Sequence, residues 1–265
     1  LNTLVKDPSG RNHEVLKRFV QAGAPSEIIY QQKPHLGTDV LVGVVETLRH
    51  EIEEMGGKFQ FRSKVTDLFF ENSQLKEIEI NGEKRIPAQV CVLAVGHSAR
   101  DSFSMFEKKG IYMEPKSFAV GVRMEHPQSM INLALYGEEE NEKLGAAAYK
   151  VTYTCENGRG VYSFCMCPGG YVVNASSEEG GLVVNGMSNA DRASGFANSA
   201  IVVSVSEEDF EGDDCLAGVA LQRKYEKLAY ELADGKIPVQ RYEDFCNNQP
   251  TKALGKVAPC VEGKW

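Results

Sequence analysis

The sequence predicts a mixed α/β protein in two parts: half of a doubly wound, Rossmann-like domain with a β-meander, then a mixed and mainly antiparallel β domain. Three observations support this prediction. An amphipathic helical pattern leads into strands of period two, a wholly apolar run reads as a buried parallel strand, and strands separated by turn glycines fill most of the remainder. We place the boundary between residues 1–112 and 113–265.

Two helical patterns open the first part. A short helix is expected over 13–22. A longer one follows the phrase KPHLGTD, with Thr38 or Gly37 as its cap and a glycine pair as its end. Apolar residues recur on one face of this helix, which predicts its buried side as Leu41, Val44, Val45, Leu48, Ile52 and Met55.

The period then changes to two. Residues 65–86 alternate around an Asn81-Gly82 pair, which is a type I′ hairpin signal and predicts an antiparallel meander. Residues 89–95 have no polar face, which is typical of a strand covered on both sides. This order of elements matches the second half of one kind of doubly wound nucleotide-binding domain. The sequence contains no G-x-G-x-x-G turn, and its nearest match, GRGVYS at 158–163, lies in an expected hairpin.

The apolar run ends in the phrase GHSARD. Gly96 permits a sharp turn, and Ser98 with Asp101 has the spacing of a capping box for the next helix. Free N–H groups at the carboxyl end of a strand are also where ligands bind in open α/β sheets, and His97 stands at that point. A surface histidine and a ligand-facing one both fit the pattern. For Arg100, pairing with an anion and a position on a solvated helix face are equal alternatives.

The second part contains the phrase CMCPGGYVV and ends in a helix expected over 216–233. On a regular strand Cys165 and Cys167 would share one face, about 6.5–7 Å apart, which favours buried thiols over a disulfide or a zinc site. A redox or substrate-contacting role stays open. Gly169 and Gly170 form a turn that would also let a flat ligand approach the main chain.

Polar side chains gather in the phrase NGMSNADRASGFANSA. The phrase is either an exposed loop or a substrate-facing one, in which case the candidate substrate-binding residues are Tyr171, Asn185, Ser188, Asn189, Arg192 and Asn198. Arg123 lies among apolar neighbours on a predicted strand, where an unpaired charge is costly. Pairing with Glu125 and a bidentate clamp on a substrate carboxylate are equal alternatives.

Composition excludes some classes of protein. The net charge is −8 and no basic cluster is present, which argues against nucleic-acid binding. No apolar run is long enough to cross a bilayer. The seven cysteines are an odd number and widely spread, which indicates reduced thiols and a cytoplasmic location. The sequence contains no signal peptide, and because it starts at Leu1 without an initiator Met we expect part of the natural protein to be missing.

Five phrases together resemble a largely uncharacterised family of bacterial FAD-dependent dehydrogenases, similar in architecture to two-dinucleotide-fold flavoproteins with an inserted substrate domain. They are KPHLGTD, VLAVGHSARD, FAVGVRMEHP, YSFCMCPGGYVVNASSEEGGLVVNGMS and ANSAIVVSV, and the resemblance covers roughly residues 1–235. It implies FAD as cofactor, NAD(P) as a second candidate, and a small-molecule substrate that exchanges hydride with FAD. The glycine-rich turns that such flavoproteins carry near both ends do not occur here, so we expect a partial FAD domain that is inactive alone.

The resemblance also assigns residues. KVTDL is similar to the strand beside the adenine, which implies a backbone contact from Val65. The later strand and turn that border FAD correspond to Gly96, His97 and Ser98, and the active face is expected at 162–174 and 185–198. The cofactor-binding candidates are completed by Gly169 and Gly170, and the catalytic candidates are His97, Arg123, Cys165 and Cys167. A non-catalytic small-ligand module and a protein-interaction domain are the competing hypotheses.

Overall fold

The computed structural model describes residues 10–31, 33–255, 259 and 263–264. The helices of this part of the chain are α1 (Arg11–Gln21), α2 (Thr38–Glu54), α3 (Arg100–Lys108), α4 (Gln128–Tyr136), α5 (Ala217–Leu232) and α6 (Tyr242–Cys246), with 3-10 turns at Ser26–Ile29 and Glu207–Asp209. The strands are β1 (Val65–Glu71), β2 (Gln74–Ile80), β3 (Lys84–Pro87), β4 (Phe118–Pro127), β5 (Thr152–Thr154), β6 (Gly160–Cys167), β7 (Gly170–Asn174), β8 (Val184–Ser188), β9 (Phe196–Val205), β10 (Ile237–Pro238) and β11 (Gly263–Lys264). The predicted mixed α/β class is confirmed.

Helices α1 and α2 confirm the first two predicted helices, and they share a small apolar core with the 3-10 turn between them. Its buried residues are Ala22, Ala24, Ile28 and Val44. The predicted inner face of α2 is only partly right. Val44 is 1% exposed and Leu48 packs beside it, but four other members of that face are exposed, namely Leu41, Val45, Ile52 and Met55. Positions four apart along the helix line up on one side, so the buried row runs through Val40, Val44 and Leu48.

The predicted meander is confirmed. β1, β2 and β3 form an antiparallel sheet in that order. Asn81 and Gly82 both have positive φ, 56° and 71°, as a type I′ turn requires. Lys109, at the end of α3, reaches the carboxylate of Asp67 at 2.7 Å and ties this helix to the meander.

The predicted strand at 89–95 is wrong. These residues form no strand and all are exposed, with Val90 at 84% and Val92 at 85%. A parallel strand needs hydrogen-bonded neighbours at its edges and helices on its faces. Within the described residues no strand pairs with this segment, so its apolar side chains lie in solvent.

The expected turn at Gly96 is confirmed by its φ of 72°, but the capping box is wrong. Helix α3 begins at Arg100 and has no side-chain cap. The Ser98 hydroxyl instead lies 3.0 Å from Nδ1 of His97. Asp101 accepts a hydrogen bond from the next backbone N–H and forms an ion pair with Lys64. The helix therefore starts from a tight turn, in which the N–H of Arg100 bonds the carbonyl of Ser98.

The second part is mainly antiparallel, as predicted, with one short parallel pair between β10 and β11. Its main sheet has the order β4-β9-β6-β5, and β7 and β8 form a separate hairpin beside it. GRGVYS lies at the turn between β5 and β6, where Gly158 has a φ of 82°, so it is a hairpin as expected. Helix α5 confirms the helix predicted over 216–233.

Arg100 links the two predicted parts; it has an anion partner, as one interpretation of the sequence had it, and the solvated helix face is wrong. It is only 2% exposed and donates hydrogen bonds to Glu178 at 2.8 Å and to Glu226 of α5 at 2.6 Å. Arg223, on the same helix, also binds Glu178. The hydrogen bonds from Arg223 and Arg100 lower the pKa of Glu178 to about 2. This guanidinium is therefore occupied by carboxylates of the protein.

Candidate functional site

A cleft of about 510 Å³ opens between the segment that precedes α2 and the polar loop that follows β8. Small-molecule sites usually measure roughly 300–1,000 Å³. The residues that line the cleft come from two distant parts of the chain: Pro25, Glu27, Ile28, Gln31, Lys33, His35, Gly37, Ala190 and Arg192. Seven of these nine residues thus precede α2, three of them in the phrase KPHLGTD, and the other two belong to the phrase NGMSNADR.

Hydrogen bonds hold these two phrases together. His35 Nε2 lies 3.2 Å from the carbonyl oxygen of Asn189. Thr38, the first residue of α2, donates its hydroxyl to the carbonyl of Ser188 at 3.4 Å. Both acceptors are backbone atoms, so the loop binds the start of α2 through its main chain.

Gly37 makes this close contact possible. Its φ of −62° is ordinary, but a Cβ at this position would overlap the backbone nitrogen of Ala190. The N–H of Ala190 in turn donates to Asp39 Oδ1 at 2.9 Å. The absence of a side chain at Gly37 therefore sets the width of the cleft at this point.

The lining of the cleft carries more positive than negative charge. Lys33 and Arg192 contribute cations, His35 contributes an imidazole, and Glu27 contributes the acid. Nε of Arg192 is buried without a hydrogen-bond partner, and among the described residues no carboxylate forms an ion pair with this side chain. Burial lowers the pKa of Arg192, which nevertheless stays cationic because arginine titrates far above neutrality. A cation in this state favours an anionic or carbonyl oxygen as a ligand.

The glycine pair of CMCPGGYVV packs against the loop that carries Arg192. Gly169 has a φ of 53°, and its N–H donates to the buried amide oxygen of Gln128 at 2.8 Å. A Cβ at Gly169 would overlap the carbonyl oxygen of Arg192. The Ser194 hydroxyl donates to the carbonyl of Gly170 at 2.8 Å. The close approach that these glycines were expected to allow is made here by the protein's own main chain.

A polar cluster lies beside this turn. Arg123 donates from Nε to Oδ1 of Asn198 at 2.7 Å and from Nη2 to the carbonyl oxygen of Cys165 at 2.6 Å. Nη2 is also 3.5 Å from Sγ of Cys167. Asn198 is fully buried, and its Nδ2 has no hydrogen-bond partner. Four residues predicted as separate candidates are thus brought together, namely Arg123, Cys165, Cys167 and Asn198.

The expectation that Cys165 and Cys167 share one face of a strand is wrong. The pairing of β6 with β9 shifts between Phe164 and Cys167, and Cys165 has a φ of 48°. Cys165 is exposed, whereas Cys167 is only 7% exposed. All six cysteines of the described residues are free, and no group of three metal-ligating side chains forms among those residues.

The other substrate candidates occupy the β7–β8 hairpin. Ser188 is buried and donates its hydroxyl to the carbonyl of Pro168 at 3.0 Å. Tyr171 is half-buried opposite Met187. Asn185 is exposed and accepts a hydrogen bond from the N–H of its neighbour. Of the predicted substrate residues, Arg192 therefore lines the cleft, while Ser188 and Asn189 hold its wall in place.

The cofactor candidates of the first part lie elsewhere. Gly96, His97 and Ser98 form an exposed turn before α3 and do not line the cleft. Val65 begins β1, opposite Ile80 of β2. The structure does not bring these residues together with the Arg123 cluster.

Sequence reasoning missed several residues of the cleft. Lys33 and His35 line it, but the sequence pattern places them only in the phrase that precedes α2. The signal that could have found them is the phrase KPHLGTD itself, in which a cation, an imidazole and a glycine precede a helix N-terminus.

Comparison with known proteins defines the class to which this chain belongs. Residues 117–265 match the family described as "FAD-dependent protein, C-terminal domain-like", and the chain is a member of that family. The resemblance to FAD-dependent proteins is thereby confirmed.

An uncharacterized protein of Clostridium beijerinckii (strain ATCC 51743 / NCIMB 8052) is 49% identical to this chain over 263 residues. The match covers 98% of this chain and 49% of that protein, so the chain spans about half the length of this relative.

The cleft suits part of a flavin nucleotide. FAD presents phosphate and carbonyl oxygens together with a flat ring. The unpartnered Nε of Arg192 and the side chains of Lys33 and His35 match such oxygens.

Among the described residues no helix is both long and apolar enough to cross a membrane.

Proposed function

We propose that this chain forms part of a FAD-dependent oxidoreductase that transfers hydride between a small organic substrate and FAD, with NAD(P)H as a candidate second partner. One observation carries the proposal: a member of a FAD-dependent family has a cleft lined by a half-buried arginine whose Nε is buried without a hydrogen-bond partner. Ligand sites in proteins favour such concave places between two parts of a chain.

Each lining residue has a distinct part in this proposal. Arg192 and Lys33 would bind anionic or carbonyl oxygens, and His35 would orient such a group while its ring stays fixed against the loop. FAD, when bound, supplies the hydride-accepting chemistry, while the protein positions the substrate and excludes water. Gly37 allows the two walls to approach closely, and Gly169 allows the close packing of the loop that carries Arg192.

The exposed apolar surfaces of the first part support a role within a longer protein. The segment 89–95 has a strand-like apolar pattern but no partner strand among the described residues. Helix α2 exposes Leu41, Val45 and Met55 beside its small core. In a protein twice as long, we propose that further strands and helices cover these surfaces and complete the FAD domain.

Hydrogen–deuterium exchange of the full-length C. beijerinckii relative, with and without FAD, tests where the flavin lies. We expect FAD to protect the peptides that align with 25–37 and 188–192, because both walls of the cleft would contact it. Peptides that align with the meander strands β2 and β3 serve as the internal control and should exchange equally in both samples. If both cleft peptides exchange at the same rate with and without FAD, the placement of FAD in this cleft is wrong.

A further inference from the structure

The last residues of β6 leave regular strand geometry where the two cysteines lie. In a regular strand alternate side chains are about 6.5–7 Å apart on one face. Here the register shift between Phe164 and Cys167, with the positive φ of Cys165, breaks that arrangement. Sγ of Cys167 comes within 3.4 Å of the carbonyl oxygen of Cys165, so the chain folds back on itself at this bulge.

Arg123 holds the bulge from the neighbouring sheet position. Its Nη2 contacts both the carbonyl of Cys165, at 2.6 Å, and Sγ of Cys167, at 3.5 Å. Asn198 fixes the other side of the guanidinium through Nε. A Cβ at Gly186 would overlap Nη2 of Arg123, so the glycine leaves the space that the guanidinium occupies beside the two cysteines. A fixed cation therefore lies against Cys167.

The two thiols differ in exposure and interact with each other. Cys165 is exposed, and Cys167 is buried. Burial and a hydrogen bond with the Cys165 thiol raise the pKa of Cys167, and the charge of Arg123 opposes that change. An accessible thiol beside a sheltered one is the arrangement in which the first attacks a partner and the second resolves the product.

We propose that Cys165 and Cys167 form a redox-active dithiol that exchanges with low-molecular-weight disulfides such as glutathione disulfide. The Cys165 thiolate attacks one sulfur of the disulfide, whose S–S bond breaks, and one glutathione thiolate leaves and takes up a proton. The Cys167 thiolate then attacks Sγ of Cys165 and releases the second glutathione. Both cysteines are oxidised to one disulfide, one disulfide is reduced to two thiols, and two protons pass from the cysteines to the products. Arg123 acts as a positioning residue that favours the Cys167 thiolate.

This dithiol goes beyond the proposed flavin chemistry and does not depend on it. The test therefore contains no FAD. The reduced 265-residue chain is incubated with mixtures of reduced and oxidised glutathione, quenched with acid and alkylated with N-ethylmaleimide. Peptide mass spectrometry then follows the peptide that contains both cysteines. The exposed residues Cys91 and Cys246 report ordinary surface thiols in the same sample.

The expected product is an intramolecular disulfide that forms before Cys91 or Cys246 reacts. C167A should accumulate a mixed disulfide on Cys165, and C165S, at an exposed position, should lose the disulfide completely. R123Q should slow ring closure about tenfold at neutral pH and move its pH profile upward, as a one-unit rise in a thiol pKa would. R123K should restore part of the rate because it keeps the charge.

One result would overturn the redox-active dithiol, and a second would overturn the role of Arg123. The first is glutathionylation of Cys165 no faster than that of Cys91 and Cys246, with no intramolecular disulfide at any glutathione ratio. The second, which removes Arg123 from the account, is an unchanged pH profile in R123Q. Circular dichroism of each variant confirms that the chain is folded during the assay.

Discussion

Gly169 packs against the loop that carries Arg192, and its replacement by alanine has a predictable cost. Its φ of 53° lies in the left-handed region, where a Cβ costs about 1–2 kcal/mol. The added methyl group would also overlap the carbonyl oxygen of Arg192, which is backbone and has to shift. Forcing an extra carbon into a packed site costs about 1–3 kcal/mol. The two effects together lower the free energy of unfolding by about 2–5 kcal/mol.

Gly158→Ala is the matched control. Gly158 also has a positive φ, 82°, but nothing lies within 4 Å of the position that its Cβ would take. It should therefore lose only the conformational part, about 1–2 kcal/mol. Urea unfolding followed by circular dichroism gives both free energies. Equal destabilisation by the two substitutions would refute the contact between Gly169 and the Arg192 loop.

Three further predictions concern the framework. Arg100→Met should lower the free energy of unfolding by about 3 kcal/mol, because it leaves half-buried carboxylates without their cation. This is the low end of the cost of breaking a buried ion pair, since the side chain of Glu226 is 16% exposed. Arg18→Met, at an exposed ion pair, should lower the free energy of unfolding by less than about 1 kcal/mol, and urea unfolding of both variants measures the difference. Equal losses in the two variants would contradict the account. Because the folded pKa of Glu178 is lowered to about 2 from 4.5, its stabilising effect is present above pH 4.5 and is lost as the pH falls toward 2. Glu178→Gln should flatten the fall in urea midpoint over that interval, and an unchanged slope would contradict the assignment. Ser98→Ala should change stability by less than about 0.5 kcal/mol because Ser98 caps no helix; a loss of about 1 kcal/mol in urea unfolding would restore the capping interpretation.

Elements whose signals are local could be predicted from the sequence. The Asn81-Gly82 turn and the alternation around it were sufficient for the meander, because turn chemistry and side-chain alternation act between neighbouring residues. The helix after KPHLGTD was found for the same reason. Its buried face was only partly found, since the pattern does not say which apolar row meets a partner.

Features that depend on distant contacts could not be predicted. The segment 89–95 has the composition of a covered strand, but coverage comes from other elements, which the described residues do not supply. The bulge at Cys165 follows from pairing with β9, so alternation along β6 gave the wrong face. The cleft requires contact between His35 and Asn189, which are 154 positions apart. Arg192 is a candidate from the sequence, but the burial of its Nε without a hydrogen-bond partner is a property of the fold.

A flavin titration tests the central claim most directly. FAD is titrated into the purified C. beijerinckii relative and, in parallel, into this chain, and flavin absorbance and fluorescence quenching report binding. The account predicts that the full-length relative binds one FAD per chain, and comparison with this chain shows how much of the affinity residues 1–265 supply. A full-length relative that stays colourless and leaves FAD fluorescence unquenched would contradict the account.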